Sequence, residues 1–507
     1  MKRNLLFLIA LLTYVLSFGQ GELDAFRYSN NDLSGTARGQ AMGGAFGALG
    51  GDVTGVAINP AGIGVYRSSE IVANMSLASP LITGNTVQES NLKFSFDNLA
   101  YIYYYPLVKG GILTLNFGFN YNRIKNFNQT YSTSKPEMKS SLTDYMALLT
   151  NGINETEFDR DPYKYSNAPW LSILAYDAYL IDPKGDKNDE YVSILNENER
   201  VSPYLKVKEK GRVESYDFTI GSNISNKFYW GTTISIIDLS YIMTSSYDEA
   251  FLGERSRGFQ LDNFLETKGS GFQVKLGAIF KPIDELRIGL AYHSPIWYSM
   301  TDYFDASINP RGIPNDKGGF AGITETPIDA YVKYHLRTPG IWTISFAGVL
   351  GSKAIVSMDH EIKSYGAMNL KDKDRNDWKD VIKIMKEDYK STYTIRAGLE
   401  FRFTPQFSGR VGYAWIQNPY KENIKATGKI VETAGTIPHY VLSNCANNFT
   451  AGAGFRFTPQ FYMDLALVLR TQNDDLYFFK PVNESDSFQG TFTNKSLKGL
   501  VTLGYKF

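Results

Sequence analysis

The chain has 507 residues, 52 of them basic and 52 acidic, and a formal net charge of +0. Because it carries no excess of positive charge, no partnership with nucleic acid is expected. Its one cysteine, Cys445, excludes an intrachain disulfide and any metal cluster held by several thiolates. A mean hydropathy of -0.25 suits a soluble protein, and equally a membrane protein whose strands turn one polar face inward.

Residues 1–19 are predicted to be a secretory signal peptide. Lys2 and Arg3 form a positively charged start, and an apolar run over residues 5–18 ends in small residues before Gln20. An N-terminal anchor helix is the alternative, but the run is short for a membrane span and no basic segment stops it. No cysteine stands near the cleavage site, so a lipoprotein is not expected.

Residues 20–68 are predicted to form a small N-terminal domain. Residues 35–64 are rich in glycine and alanine, carry almost no charge and lack the alternation of a strand. Small residues let backbones pack closely in a confined space, and short helical turns broken by glycine are expected. Three known motifs fit poorly. No Lys-Ser or Lys-Thr pair follows Gly51 as in a Walker loop, no strand precedes the segment as in a Rossmann turn, and Asn-Pro-Ala does not occur twice as in aquaporins.

From residue 69 to residue 507 the hydrophobic pattern has a period of two. Residues 111–121, 395–403 and 461–470 each place apolar side chains on one face and polar or charged side chains on the other. Each segment has about the length that a tilted strand needs to cross a bilayer. A soluble β-sandwich also alternates, but its strands are typically about 5–6 residues long. The pattern therefore favours an all-β membrane protein, an antiparallel transmembrane β-barrel of about 14 strands.

The connections between strands fall into two classes. Short ones contain proline, as in the repeated Phe-Arg-Phe-Thr-Pro-Gln-Phe at residues 401–407 and 455–461, where proline presets a tight turn. Short turns on one side and long loops on the other are typical of bacterial barrels, whose short turns are periplasmic. Long extracellular loops are predicted at residues 123–212, 299–327, 365–390, 417–447 and 471–496.

Three segments within these loops carry apolar residues at helical spacing. They are residues 142–153, 170–181 and 378–389. Such helices either pack the loops onto the barrel or present an apolar patch that captures a hydrophobic ligand at the cell surface.

The last strand of the chain alternates strictly. Val501, Leu503, Tyr505 and Phe507 share one face, and polar or small residues share the other. A strand that ends on an aromatic residue resembles the closing strand of outer-membrane barrels. Tyr505 and Phe507 are therefore predicted to be an assembly signal for the barrel assembly machinery. A closed barrel satisfies every backbone N–H and C=O in lipid, so the predicted location is the bacterial outer membrane.

The N-terminal segment also resembles a known family. The pattern of Gly43, Gly44, Asp52, Asn59, Pro60 and Ala61 resembles the hatch of the FadL/TodX family of outer-membrane transporters for long-chain fatty acids and hydrocarbons. Hairpins at residues 277–295 and 336–365 are similar to strand pairs of that family. The resemblance implies a 14-stranded barrel plugged by the hatch. It also implies that apolar ligands bind at the outer loops, enter an inner pocket and leave sideways through a gap in the wall. Residues 123–212 form a longer loop region than in the best-known members, which leaves the ligand open.

The sequence shows no catalytic constellation, so neither enzyme activity nor a cofactor or metal is expected. The histidines lack paired metal-ligand spacing, and no Gly-x-Ser-x-Gly motif occurs. Charged residues on the predicted lumen face either form a structural ladder of ion pairs or supply a guanidinium that holds a carboxylate. They are Lys275, Arg287, Arg396, Glu400, Arg402, Arg410, Arg456, Asp464, Arg470 and Lys506.

These observations favour passive outer-membrane transport of hydrophobic molecules such as long-chain fatty acids. The expected partners are outer-membrane lipids and a hydrophobic small molecule, and the chain is expected to be a monomer. One alternative is a non-transporting outer-membrane partner protein whose surface loops bind other proteins in secretion. Another is a haem receptor, which needs a histidine or tyrosine ligand such as His439.

Overall fold

The computed structural model shows a β-barrel that holds an N-terminal segment in its lumen and carries a cap at one end. It describes residues 21–81, 87–88, 92–158, 168–185, 187–253, 257–327, 331–351, 353–425, 433–480 and 488–507. The predicted signal peptide at residues 1–19 lies outside these ranges.

In the described part of the chain, fourteen antiparallel strands close into one barrel. They are β1 (Glu70–Leu81), β2 (Lys93–Tyr103), β3 (Ile112–Asn126), β4 (Val201–Ile224), β5 (Phe228–Phe251), β6 (Gly258–Phe280), β7 (Leu286–His293 and Trp297–Arg311), β8 (Tyr331–Arg337 and Ile341–Leu350), β9 (Ala354–Ser364), β10 (Ser391–Arg402), β11 (Phe407–Ile416), β12 (Tyr440–Arg456), β13 (Phe461–Tyr477) and β14 (Phe488–Lys506). β14 pairs with β1, which closes the wall. The predicted barrel of about 14 strands is confirmed.

Shorter strands lie at the barrel ends and in the loops. They are Val87–Gln88, Pro106–Lys109, Gln129–Ser134, Ile181–Lys184, Lys187–Ser193, Thr324–Glu325 and Asn369–Asp372.

β7 and β8 are interrupted side by side, at Pro295 and Pro339. Proline has no N–H to give to a ladder, so pairing is weakened where it stands. The two strands stay joined at the break, because the Ile296 N–H donates to Thr338 Oγ1 at 2.8 Å and the Thr338 N–H donates to the Ile296 carbonyl at 3.1 Å.

The N-terminal segment forms short helices inside the barrel and is the predicted hatch. Its helices are α1 (Glu22–Ser29), α2 (Ala37–Ala41) and α3 (Val53–Ile58), followed by a 3-10 turn over Pro60–Val65. Thr36 caps α2 by accepting from the Gly39 N–H at 3.0 Å, and Asp52 caps α3 by accepting from the Thr54 N–H at 2.8 Å. These caps start helices in a segment whose glycines keep them short.

The cap covers the end of the barrel opposite the short turns. It contains α4 (Leu142–Thr150), α5 (Trp170–Asp177) and α6 (Lys379–Asp388), at the three places where helical spacing predicts a helix. Their apolar faces are buried in one continuous core together with side chains of the long strands. Among the described residues, no helix has both the length and the apolar character that a membrane span requires.

The long strands change their apolar face where they pass from the wall into the cap. In β5, exposed apolar side chains point outward at Phe228, Trp230, Ile234 and Ile236. Beyond Asp238, the apolar side chains are buried and point inward, at Leu239, Tyr241, Met243 and Tyr247. The outward set lies on the lipid face of a barrel, and the inward set fills the cap core.

This change of face explains where the predicted loop bounds were wrong. The loop predicted at residues 123–212 contains the end of β3 and the start of β4. Residues 299–311 belong to β7, residues 440–447 to β12, and both ends of the predicted loop 471–496 to β13 and β14. The outward face of these strand extensions is polar. Their sequence pattern therefore resembled that of polar loops. The predicted loop 365–390 ends where β10 begins.

Candidate functional site

The hatch rests on lumen-facing glycines of the barrel wall, called here the glycine belt. A Cβ atom built at Gly277 of β6 would lie 2.0 Å from Asn59 Oδ1, and one at Gly412 of β11 would lie 2.2 Å from the Gly43 nitrogen. Both distances are shorter than any contact a real Cβ makes, so only glycine leaves room for the hatch. The belt comprises Gly118, Gly221, Gly231, Gly277, Gly289, Gly398, Gly412 and Gly452.

The predicted hatch motif forms the hydrogen bonds that shape the hatch and join it to the wall. Asn59 Oδ1 accepts from the Ala61 N–H at 3.1 Å, and Asn59 Nδ2 donates to the carbonyls of Gly47 at 2.7 Å and Ala278 at 3.1 Å. Ala278 belongs to β6, so Asn59 connects hatch and barrel directly. Pro60 lies against Gly231 and starts the 3-10 turn.

Asp52, Gly43 and Gly44 set the local geometry. Asp52 Oδ1 accepts from Thr36 Oγ1 at 2.9 Å as well as capping α3, so it joins the starts of two helices. Gly43 and Gly44 have φ values of 64° and 77°, a left-handed conformation that glycine adopts without a Cβ clash. That turn brings Gly43 against the backbone of Tyr413 in β11.

A buried ionic network also binds the hatch to the wall. Arg38 of α2 donates two hydrogen bonds to Glu400, at 2.8 Å and 3.0 Å. Arg410 bridges Glu400 at 2.6 Å and Asp464 at 2.5 Å. Burial lowers the pKa of Arg38 and the Glu400 carboxylate raises it, with a net shift upward. A bidentate guanidinium–carboxylate pair of this kind fixes orientation as well as charge.

Most of the other predicted lumen charges are also held in pairs. Lys275 binds Asp217 at 3.0 Å, Arg396 binds Glu361 at 2.6 Å, and Lys506 lies 3.6 Å from Glu70. Arg287 donates to a hatch carbonyl, that of Leu49. Arg402 and Arg456 are exposed at the short-turn end.

Arg470 differs from the other predicted lumen cations. It donates to Gln472 at 2.5 Å, and within the described ranges no carboxylate lies within 4.0 Å of it.

A cavity of about 370 Å³, the central cavity, lies between the hatch, the wall and the cap. Its apolar wall comes from α1 and the cap core, with Phe26, Tyr131, Tyr241, Tyr420 and Tyr440. Its charged side chains come mainly from β2, β3, β13 and β14. They are the cations Arg27, Lys93, Arg123, Lys125, Arg470 and Lys498 and the carboxylates Asp24, Asp32, Asp97, Glu209 and Asp474. The cavity is therefore amphipathic.

Several buried polar atoms that line the central cavity lack a hydrogen-bond partner among the described residues. They are Gln40 Oε1, Ser76 Oγ, His439 Nδ1 and Asn448 Nδ2. Both donors and acceptors are in this set, and leaving such groups unpaired is costly. The cavity is thus suited to water or to the polar part of a guest.

Next to the charged residues the barrel wall has an interruption, called here the window. β2 and β3 pair from Tyr103↔Phe117 to Asn98↔Asn122, and the described residues show no pairing between 93–97 and 123–126. Above the window, Val87–Gln88 pairs with the strand Gln129–Ser134, so the wall is joined again. Among the described residues only side-chain hydrogen bonds cross it, such as the one from Asn126 Nδ2 to Ser95 Oγ at 3.4 Å.

The window lies at the outer edge of the lipid-facing surface. Phe94 and Phe96 of β2 point outward beside it and are 65% and 36% exposed. The neighbouring β3 ends its outward aromatic row at Tyr121, and the next residue of the same parity is the charged Arg123. The window therefore lies where the exposed apolar surface gives way to charged residues.

The hatch reaches the window through Asp32. The Asp32 N–H donates to the Ile124 carbonyl at 2.9 Å, and its carboxylate accepts from the Asn126 N–H at 3.0 Å and pairs with Lys125 at 2.9 Å. Burial raises the pKa of Asp32 and Lys125 lowers it, with a net shift downward. A displacement of the hatch would therefore change the side of the window.

The sequence alone did not locate the ligand-binding residues or the lateral opening, but it carries a signal for the window. In β2 the outward residues are Phe94 and Phe96, then Leu99 and Tyr101. The odd spacing from 96 to 99 marks a bulge, which the structure places at Asp97.

Two further predicted features have clear positions. The Phe507 N–H donates to the Ser69 carbonyl at 3.0 Å and its carbonyl accepts from the Ser69 N–H at 3.1 Å, at the seam of the barrel. The rings of Tyr505 and Phe507 are 50% and 57% exposed. The cap helices bury their apolar faces, so their structure fits packing rather than an exposed capture patch.

A closed barrel with apolar residues outward, a docked hatch and an amphipathic cavity defines the class of plugged outer-membrane β-barrels. Residues 253–496 match a family model described as outer membrane protein transport protein (OMPP1/FadL/TodX). The match covers just under half of the chain, which in fold and in this segment resembles the FadL/TodX-type outer-membrane barrels.

Comparison with solved structures agrees with this fold. A FadL homologue of Pseudomonas aeruginosa is 13% identical, with 94% of this chain and 99% of that chain covered and a TM-score of 0.54. The CymD monoaromatic hydrocarbon channel is 10% identical, with 94% and 97% covered and a TM-score of 0.50. The toluene transporter TodX of P. putida is 11% identical over 94% and 99%, with a TM-score of 0.49. Comparison with curated proteins gives no sequence match.

Proposed function

We propose that the chain is a passive outer-membrane channel that takes up hydrophobic molecules with an acidic head, such as long-chain fatty acids, and releases them sideways into the membrane. The observation that carries the proposal is the central cavity, because its apolar wall and its charged residues meet at the window. An apolar tail and a charged head need this combination of surfaces.

The packing of the hatch supports a sideways route. The glycine belt, Asn59 and the Arg38–Glu400 pair hold the hatch against the wall, so a path towards the short turns is filled with protein. The window, in contrast, is crossed in the described part of the chain only by side chains, and it lies beside exposed Phe94 and Phe96. The free energy of a hydrophobic molecule falls when it moves from water into lipid, so no energy source is required.

The charged residues of the cavity support an acid rather than a plain hydrocarbon. Among the described residues no carboxylate lies within 4.0 Å of Arg470, which lines the cavity with Arg123 and Lys125. Arg123 pairs with Glu214 at 3.5 Å and Lys125 with Asp32 at 2.9 Å, so Arg470 is the cation of the three that a ligand carboxylate can approach most freely. The names of CymD and TodX refer to monoaromatic hydrocarbons and toluene, which have no charged group to occupy such a site. A guanidinium is well shaped to hold a carboxylate.

Binding of a fatty-acid series to the purified chain tests the ligand class. From octanoate to stearate we expect the affinity to rise by about fourfold for each buried CH₂, until the cavity is full. The matched alcohols serve as controls and should bind more weakly because they lack the carboxylate. Equal affinity for acid, alcohol and toluene would indicate an unspecific hydrocarbon channel. Binding that depends on haem, or only on another protein, would support one of the alternatives instead.

Closing the window by a disulfide tests the route. The substitutions Ser95→Cys and Asn126→Cys, in a Cys445→Ser background, place two thiols where the native side chains are 3.4 Å apart. The oxidised variant should bind the fatty acid but transfer it to the surrounding bilayer much more slowly, and reduction should restore the rate. Cys445→Ser alone is the control. With the disulfide verified by mass spectrometry, an unchanged transfer rate would show that the ligand takes another path.

A further inference from the structure

A second recess lies on the outside of the protein, away from the lumen. It is an open groove of about 610 Å³ beside the break in β8 and at the outer ends of β9 and β10, called here the outer groove. Its floor contains the apolar Met368 and Ile382, and its rim is basic. The cationic residues of the rim are Arg337, Lys386, Lys390 and Lys421.

None of the four cations forms a salt bridge among the described residues, although Arg337 interacts electrostatically with Asp377 at longer range. The lining of the outer groove contains no aspartate or glutamate, and in the described ranges no carboxylate lies within 4.0 Å of any of the four. Arg337 donates to the Ala367 carbonyl at 3.3 Å and Lys421 donates to the Lys386 carbonyl at 2.7 Å. By contrast, nearby Lys371 pairs with Asp377 at 3.3 Å. The groove thus concentrates positive charge that an anionic partner can neutralise.

The height of the outer groove suits a lipid head group. Ser364 and Ser391 pair at the level of the groove, and Tyr393, two residues below Ser391, is exposed on the lipid face. Further exposed apolar residues continue that face below the groove. They are Trp297, Trp342 and Met358. The cations therefore lie just above an aromatic rim, where the head groups of the outer leaflet are found.

We propose that the outer groove binds the phosphorylated head group of an outer-leaflet lipid. Arg337 can take a phosphate in a bidentate manner, and the three lysines add point charges around it. The acyl chains then lie on the surface formed by Tyr393 and Met358. A soluble phosphate would use the cations alone, whereas a lipid uses the basic rim and the apolar surface together. This site lies outside the barrel and does not depend on transport through the central cavity.

Native mass spectrometry of the purified chain with a phosphorylated glycolipid tests the proposal. The double variant Lys386→Gln and Lys390→Gln should bind the lipid about 25-fold more weakly, because each cation near an anionic lipid contributes about fivefold. The matched control is Lys317→Gln with Lys353→Gln, two exposed lysines that do not line the groove, and it should bind like the original chain. The conservative Lys386→Arg should retain binding. Heat-modifiable migration on gels shows that each variant is folded.

Two further arms separate a lipid site from a general anion site. The dephosphorylated glycolipid should bind at least tenfold more weakly, and inorganic phosphate should not displace the intact lipid at equal concentration. Equal binding of the dephosphorylated lipid would overturn the role of the cations. Displacement by inorganic phosphate would show an anion site without lipid recognition, and loss of binding in the control pair would show unspecific attraction.

Discussion

At the scale of single residues, His439 has an unusual environment for a histidine. It is 7% exposed, lines the central cavity, and its Nδ1 has no partner in the described chain. Burial, with a smaller effect of Arg27, lowers the pKa of His439 from 6.5 to about 3. The unfolded chain therefore binds more protons than the folded chain between these two values, so the stability of this region is complete above pH 6.5 and falls as the pH falls towards about 3.

This direction of the pH dependence gives a prediction for the cap. Lowering the pH from about 7 to about 5 should speed hydrogen exchange around residues 433–445, after correction for the intrinsic rate, because His439 is protonated when the region opens. His439→Gln removes the titrating group and should flatten this dependence. Exchange that keeps the same pH dependence in the variant would assign the effect to another group.

At the scale of elements, the glycine belt determines how close the hatch comes to the wall. Gly412→Val should leave β11 intact, since valine favours strands, but the added side chain would meet Gly43 and Met42 of the hatch. The variant should assemble and show higher ion conductance in planar bilayers. Gly348→Val is the matched control, because a Cβ at Gly348 has nothing within 4 Å. Unchanged conductance in Gly412→Val would mean that the hatch does not seal the lumen.

Alternation predicted the barrel and its strand number because lipid imposes one rule on every strand inside the bilayer. It misjudged the outer ends, since a strand such as Trp297–Arg311 buries the inward residues Tyr298, Met300 and Phe304 in the cap instead. The breaks at Pro295 and Pro339 were not predicted either. Pairing stops at these two prolines but continues through Pro203 of β4, and the local sequence does not distinguish the two cases.

The candidate site was less accessible to sequence reasoning than the fold. Asn59 and Asp52 could be singled out because short hatch motifs are local, and their hydrogen bonds are local as well. The window depends on the contact of Asp32 with β3, about a hundred residues further along the chain. It also depends on the absence of pairing between β2 and the outer end of β3. Such contacts follow from how the barrel curves around the hatch, which no local pattern encodes.

At the scale of the whole molecule, the seam between β1 and β14 is the contact that makes the sheet a barrel. Phe507→Ala keeps the backbone bonds to Ser69 but removes the exposed aromatic ring. We expect a severalfold lower yield of heat-modifiable barrel in the outer membrane, whereas Phe507→Trp should assemble normally. A normal yield of Phe507→Ala with loss of fatty-acid uptake would place the residue in transport instead of assembly.

The enclosed position of the hatch also constrains the order in which the molecule can form. The hatch precedes β1 in the chain, yet the wall around it is completed only when Glu70 meets Lys506, more than four hundred residues later. A completed lumen, already filled by Glu400, Arg410 and their neighbours, would have to admit the hatch past side chains that leave it no clearance. An open sheet can instead curl around a hatch that has already docked. The hatch then serves as a template for curvature, and late closure of so long a loop makes its docking the step that decides whether folding succeeds.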